Sequence, residues 1–384
     1  MSEPRSLMQL VSQVSSQAIL NAPVMEDRGL AERLPFPFLA IVGQTEMKTA
    51  LLLSIINPAI GGVLLIGPRG TAKTTAVRAL ASLLPQVARS LCNYGCLPED
   101  IETDGIDAVC PDCARKYGQG EPLTYRDQVR LVELPLNSRL DDVVGGVNER
   151  AAVHNRMLLQ RGILSHADRN LLYVDEVNLL PDEIVDAILD ASAQGLYTVR
   201  RGALSATYRA RFALIGSMNP EEGRLRPQIL DRFGLRVIVR GLEDPSERWE
   251  AYQRVRAYLT NARAMIATFR EETELAREEI SLARELLAEV TINTEAEQLG
   301  LQLVRSLGVD SLRAEITLFE SARALAAADG RDEATVADVR AVAPMALRVR
   351  RSTFIEEYFD SQESEEQEIR QWLDSPDPAA GSDA

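Results

Sequence analysis

The sequence predicts an α/β fold: a parallel five-stranded sheet followed by an all-helical domain. Three observations carry this expectation. Five short apolar runs, at 63–66, 129–134, 171–174, 212–216 and 235–239, read as buried strands. The first breaks into a glycine-bearing turn and restarts as a helix, the arrangement of a phosphate cradle. Beyond residue 245 the apolar residues recur at helical spacing almost to residue 347.

The stretch Gly61 to Thr75, GGVLLIGPRGTAKTT, sets the chemistry. Its strand ends at Gly67, and Pro68-Arg69-Gly70-Thr71-Ala72 can curl backbone N–H groups around an anion. Lys73 then opens a helix with a cation, Thr74 offers a hydroxyl to Mg²⁺, and Thr75 completes the loop. The pattern G-x-x-x-x-G-K-[ST] calls for a second glycine where this chain has Ala72, and a strand-turn-helix with no ligand is the competing reading. The second anchor is NLLYVDEVNLL (170–180), where Asp175 and Glu176 emerge together at the carboxyl end of an apolar strand, the edge at which open parallel sheets bind ligands. Two carboxylates there need a cation, a donor or water. With Lys73 and Thr74, their simplest use is that Asp175 serves Mg²⁺ and Glu176 polarises an attacking water.

Elsewhere, residues 5–20 have the spacing of an amphipathic helix, and 40–56 reads as a helix beside the nucleotide fold. A helix over 74–84 follows the phosphate loop. The insertion 92–120 reads as loop-like and holds all four cysteines, as C-x-x-x-C (Cys92, Cys96) and C-x-x-C (Cys110, Cys113). Four thiolates so spaced suit one structural Zn²⁺; redox-active dithiols and four unligated thiols are the alternatives. Residues 140–146 read as a loop and 183–194 as a helix. A hairpin turns at Gly202. Ser217-Met218-Asn219 arrive at the same edge as Asp175, where Asn219 can fix a water. Arg224, Arg226 and Arg232 fall on one helical segment, and Arg232 is too far along it to reach its own phosphate, so it serves a neighbouring subunit. Four helical stretches follow, at 246–290, 294–306, 311–328 and 335–347. Arg313 lies in the first turn of the third, where a cation opposes the helix dipole unless a phosphate answers it.

The expected divisions are an N-terminal extension (1–34), the α/β domain (35–240), the helical domain (241–355) and an acidic, disordered tail (356–384). The chain has 384 residues, 46% hydrophobic, and a net charge of −15. The tail holds ten acids against Arg370, leaving −6 for the body. A mildly acidic body argues against nucleic acid as the main ligand. No run of about 18 apolar residues is present and the N-terminus lacks signal architecture, so neither a membrane span nor export is expected, and the expected compartment is the cytoplasm.

The order of strand, phosphate loop, strand ending in Asp-Glu, strand ending in Asn, arginine helix and helical lid resembles AAA+ ATPases. Across residues 36–350, VDEVNLL, GSMNPEEGRLRPQILDRFGL, VRGLEDPSER and SLRAEITLFESARALAA are similar to the ATPase (I) subunits of magnesium chelatases. The resemblance implies an AAA+ P-loop core, ATP and Mg²⁺ as cofactors, and a homo-oligomeric ring, a hexamer or heptamer. It also implies work with a D-type subunit bearing AAA+ and von Willebrand A modules and a porphyrin-binding H-type subunit to insert Mg²⁺ into protoporphyrin IX. By motif, Gly67 to Thr74 cradle phosphate, Asp175 and Glu176 serve Mg²⁺ and water, and Asn219 matches the first sensor. Arg232 matches the arginine finger, Arg313 the second sensor, and the hairpin at Gly202 the helix-2 insert. Ala72, the Thr74-Thr75 ending and Arg161-Gly162-Ile163 depart from the family pattern, and the N-terminal helix and acidic tail have no counterpart in it. A MoxR-like motor with another client and a nucleotide-gated scaffold with weak hydrolysis are the other readings.

Overall fold

The computed structural model describes residues 34–147, 159–202, 204–223, 225–309 and 311–350. The helix expected over 5–20, the acidic tail, Arg224 and residues 154–158 of the approach to the acidic strand (154–170) lie outside the described residues. One sheet is built from β1 (Val63–Ile66), β2 (Leu131–Leu134), β3 (Leu171–Val174), β4 (Ala213–Met218) and β5 (Leu235–Ile238). The strands lie in the order β5-β1-β4-β3-β2 and every pair is parallel. Ile66 stands opposite both Met218 and Ile238, and Val174 opposite Gly216. The carboxyl ends of β1, β3 and β4 therefore share one edge, and the loops leaving them converge there.

The three inner strands β1, β3 and β4 are buried on both faces, which is why their runs read as continuous rather than alternating, while the edge strands β2 and β5 each expose a residue, Glu133 and Ile238. Val63 and Leu65 of β1, with Leu171 and Tyr173 of β3, face a core shared with the helices α1 (Thr45–Ile56) and α2 (Lys73–Leu80). Leu64, Leu172 and Val174 face the other way, onto α3 (Asp182–Gln194) and α4 (Pro227–Arg232). The period-two alternation thus appears in the packing even where hydropathy hides it. Helix α1 is buried almost all round, as expected of an apolar helix caught between a sheet and a second layer.

That second layer is the C-terminal set: α5 (Pro245–Thr260), α6 (Ala262–Thr268), α7 (Arg270–Leu286), α8 (Thr294–Ser306), α9 (Leu312–Ala328) and α10 (Val336–Leu347). Its apolar residues, including Phe269, Ile280, Leu318 and Val342, are continuous with the first core. Asp244 caps α5, accepting from the Ser246 N–H at 2.9 Å, with Pro245 as the first helical residue. The expected stretch 246–290 is three helices, broken at Asn261, whose side chain caps α6, and again at Phe269.

Three other expectations need correction. The cysteine insertion is not loop-like: helices Pro98–Asp104 and Pro111–Gly118, each opened by proline, stand between paired strands Val87–Ser90 and Thr124–Asp127. Residues 140–146 contain a short helix, Leu140–Val144, because the Asp142 carboxylate accepts the Arg139 N–H at 2.9 Å. The arginine segment becomes helical only at Pro227, so Arg226 is the cap of α4 rather than part of its body. The hairpin forms as expected, Leu196–Arg201 against Leu204–Arg209, with Gly202 at φ +58°. Among the described residues no helix is long and apolar enough to cross a membrane.

Candidate nucleotide site

Gly67 ends β1 where no side chain fits: a Cβ there would lie 2.1 Å from the Val239 carbonyl oxygen. The loop then turns through Gly70 and reaches α2 at Ala72, whose φ of +67° lies in the left-handed region. An L-residue there meets its own carbonyl, which explains why the standard pattern asks for glycine. Ala72→Gly is expected to raise the free energy of unfolding by roughly 0.5–1 kcal/mol, the relief of strain less the extra freedom glycine gives the unfolded chain. Urea unfolding measures it, and an unchanged or lower stability would contradict the strain. Lys73 is buried, and its Nζ donates to the carbonyls of Gly67 at 2.6 Å and Pro68 at 2.7 Å. Burial lowers its pKa below the ordinary lysine value, opposed by the charges of Asp175, Glu176 and Glu222.

Across the edge, Asp175 is held by three hydroxyls. Its Oδ1 accepts from Tyr173 at 2.8 Å and Ser217 at 2.5 Å, and its Oδ2 from Thr74 at 3.4 Å. Burial pushes the Tyr173 phenol's pKa up, so it stays a donor. Ser217 Oγ also accepts the Glu176 N–H at 3.2 Å, tying β4 to the turn after β3. Glu176 itself has φ +51°, so with Ala72 it makes two non-glycine residues of this site in the left-handed region. Such strain persists where surrounding contacts over-determine the backbone, and it clusters at functional sites. The Glu176 carboxylate accepts from Arg69 at 3.2 Å, and Arg69 also pairs with Glu222 at 2.5 Å. Asn219, buried, caps the turn at Pro220 by accepting the Glu221 N–H at 3.3 Å.

These groups line one cavity of about 250 Å³, formed by Arg69 to Thr75, Asp175, Glu176 and Ser217 to Asn219. A more apolar cavity of about 460 Å³ adjoins it through Gly70, Thr71, Ala72 and Thr75, and is walled by Ile41, Val42, Leu242 and Tyr252. Charge at one end and an apolar slot at the other is the shape of a nucleotide, phosphates on the loop and base beyond. The segment 40–56, expected against the nucleotide fold, contributes Ala40 to Val42 and Gln44 to the wall of this slot; Tyr252 of α5 was not anticipated.

Arg232 and Arg313 are not in this cavity. Together they line a separate one of about 250 Å³ with Pro58, Gly61, Asp190 and Asp231. Arg232 is paired with Asp190 at 2.8 Å and Asp186 at 3.4 Å, both on α3. Arg313 is half exposed and 3.9 Å from Asp231. Asp231 was missed by sequence reasoning. It accepts from Ser311 at 3.0 Å and from the buried Arg350 at 2.9 Å, so it fastens the arginine helix to the lid. The four cysteines also gather, each Sγ within 4.8 Å of the others.

The family model described as the MCM P-loop domain matches residues 144–247, and the AAA lid domain model matches 301–372. The chain is 43% identical to the magnesium-chelatase subunit ChlI homolog of Methanocaldococcus jannaschii over 323 residues, 83% of this chain and 87% of that one. It is 43% identical to the magnesium-chelatase 38 kDa subunit of Acidiphilium rubrum, over 82% of this chain and 90% of that one. A crystal structure of an ATPase candidate from Cytophaga hutchinsonii shares the fold, at 21% identity and a TM-score of 0.51 over 81% of this chain and 83% of that chain. Sheet order, phosphate loop, acidic strand end and these relatives agree: this chain belongs to the magnesium-chelatase subunit ChlI family of AAA+ P-loop ATPases.

Proposed function

We propose that this chain is the ATP-hydrolysing ring subunit of a magnesium chelatase. The observation that carries the reading is the separation of two half-sites: Lys73, Thr74, Asp175, Glu176 and Asn219 surround one cavity, while Arg232 and Arg313 face another. A chain built this way completes its site by stacking in a ring, which the resemblance to AAA+ ATPases makes a hexamer or heptamer, with each subunit presenting both arginines to its neighbour's phosphates. ATP lies with its phosphates on Gly67 to Thr75. Lys73 exchanges the carbonyls of Gly67 and Pro68 for phosphate oxygens, a stronger charge-assisted bond. Mg²⁺, held by the Thr74 hydroxyl and Asp175, would screen the charge on the phosphates. Glu176 takes the proton of the attacking water, Asn219 orients that water, and Arg232 and Arg313 of the adjacent copy stabilise the charge that develops. Release of Glu176 from Arg69 frees the base for this role.

The work goes to a D-type partner and a porphyrin-binding H-type partner, which insert Mg²⁺ into protoporphyrin IX. Support for the client comes from relatives named as magnesium-chelatase subunits along most of the chain. The test combines the purified chain with D-type and H-type subunits, ATP, Mg²⁺ and protoporphyrin IX. Magnesium protoporphyrin should form only when all three proteins and ATP are present. Vigorous ATP hydrolysis without insertion, across several partner pairs, would overturn the chelatase client while leaving the motor.

A further inference from the structure

We propose that Cys92, Cys96, Cys110 and Cys113 bind one structural zinc ion, and that the knuckle it closes braces the hairpin Leu196–Arg209. This goes beyond the nucleotide site, which the cysteines do not touch. The four sulfurs are mutually within 4.8 Å. A tetrahedral thiolate site with Zn–S of about 2.3 Å needs sulfurs about 3.8 Å apart, so a small contraction seats the ion. Backbone donors already point at sulfur: Cys96 N–H to Cys92 Sγ at 3.4 Å and Cys110 N–H to Cys96 Sγ at 3.3 Å. The Ser90 hydroxyl adds a third donor, to Cys92 Sγ at 3.4 Å. Donors of this kind offset thiolate charge in metal knuckles.

The insertion has little apolar packing of its own. Its buried apolar cluster consists of Cys96, Cys113 and Leu123, and helix Pro98–Asp104 buries no residue. So small an apolar cluster cannot fix two helices, whereas a metal cross-link can. Four sulfurs close the coordination shell and leave no position for substrate or water, so the site is structural rather than catalytic.

The brace follows from what the knuckle touches. Arg211, just past the hairpin, donates to the Gly95 carbonyl at 2.7 Å and to Asp100 at 3.1 Å. The Arg209 N–H donates to the Tyr94 carbonyl at 3.0 Å, and the Tyr94 ring stacks on Tyr208 at 5.6 Å. A Cβ at Gly95 would come 2.9 Å from the Arg209 Cβ, so the hairpin packs against the knuckle where only a glycine leaves room. Residues 94 and 95 lie inside the Cys92–Cys96 loop, and Asp100 lies between the cysteine pairs. A metal that fixes this loop therefore fixes the root of the hairpin.

The test uses the full-length chain purified under reducing conditions without chelator. Metal analysis should find about one zinc per chain, and cobalt refilling of stripped protein should give the intense visible absorption of a tetrahedral thiolate site. Cys113→Ser should lose the metal, and Cys113→His should keep it as a Cys₃His set. Hydrogen exchange read by mass spectrometry should quicken after stripping in peptides covering 87–127 and 196–209, and stay constant in α9 and α10. Reduced protein that neither carries nor takes up zinc, or that holds these cysteines as disulfides, would overturn the site. Bound zinc whose removal leaves exchange of 196–209 unchanged would overturn the brace.

Discussion

Glu176→Gln is expected to leave ATP bound and to lower hydrolysis by roughly 10²–10⁴-fold, the usual contribution of a positioned general base. Glutamine has the same shape and can still accept from Arg69, so the backbone at φ +51° and the Ser217 contact to its N–H should survive. What is lost is the capacity to take a proton from water. The measurement pairs steady-state phosphate release with binding of a fluorescent nucleotide. Unchanged turnover would remove Glu176 from the mechanism, and lost binding would recast it as structural.

Arg232→Ala carries the larger effect, roughly 10³–10⁵-fold in turnover, the range seen for arginines that stabilise a transferring phosphoryl group from outside the phosphate loop. In the isolated chain this guanidinium is occupied by Asp190 and Asp186. These partners are partly exposed, so the pairs hold the side chain in place at small free-energy cost and can yield to a phosphate. ATP binding should persist, because Arg232 lines a cavity separate from that of Lys73. A variant that hydrolyses ATP at the wild-type rate within assembled rings would contradict the role.

The sheet was legible because its strands are short apolar runs, the inner three buried on both faces, and all five fall within two residues of the expected positions. The helical layer was legible for a related reason: α7, α8 and α9 keep apolar faces toward one core. The helices at 98–104 and 140–144 were not legible. The first has no fully buried residue, and the second exists through one carboxylate capping its own turn, so neither leaves a periodic signal. At the site, Lys73, Asp175 and Glu176 declared themselves by position along strand ends. Tyr173 could have been found, since it lies two residues before Asp175 at the end of the strand and period-two spacing turns both side chains the same way. Ser217 was expected just past its strand at this edge, but its bond to Asp175 spans 42 residues. Asp231 was out of reach because Ser311 and Arg350 lie 80 and 119 residues away. Ala72 was visible as a departure from pattern, and only the backbone showed what kind: an alanine held where glycine is at ease.

The central claim, a site shared between adjacent subunits, is tested most directly by mixing two inactive variants. Lys73→Ala rings should fail to bind ATP, and Arg232→Ala rings should bind it without turnover. In mixed rings, an intact phosphate loop from the second variant meets an intact Arg232 from the first at part of the interfaces, and hydrolysis should return there. Recovery that peaks at intermediate mixing ratios is the predicted result; no recovery at any ratio, with mixed assembly demonstrated, would contradict it.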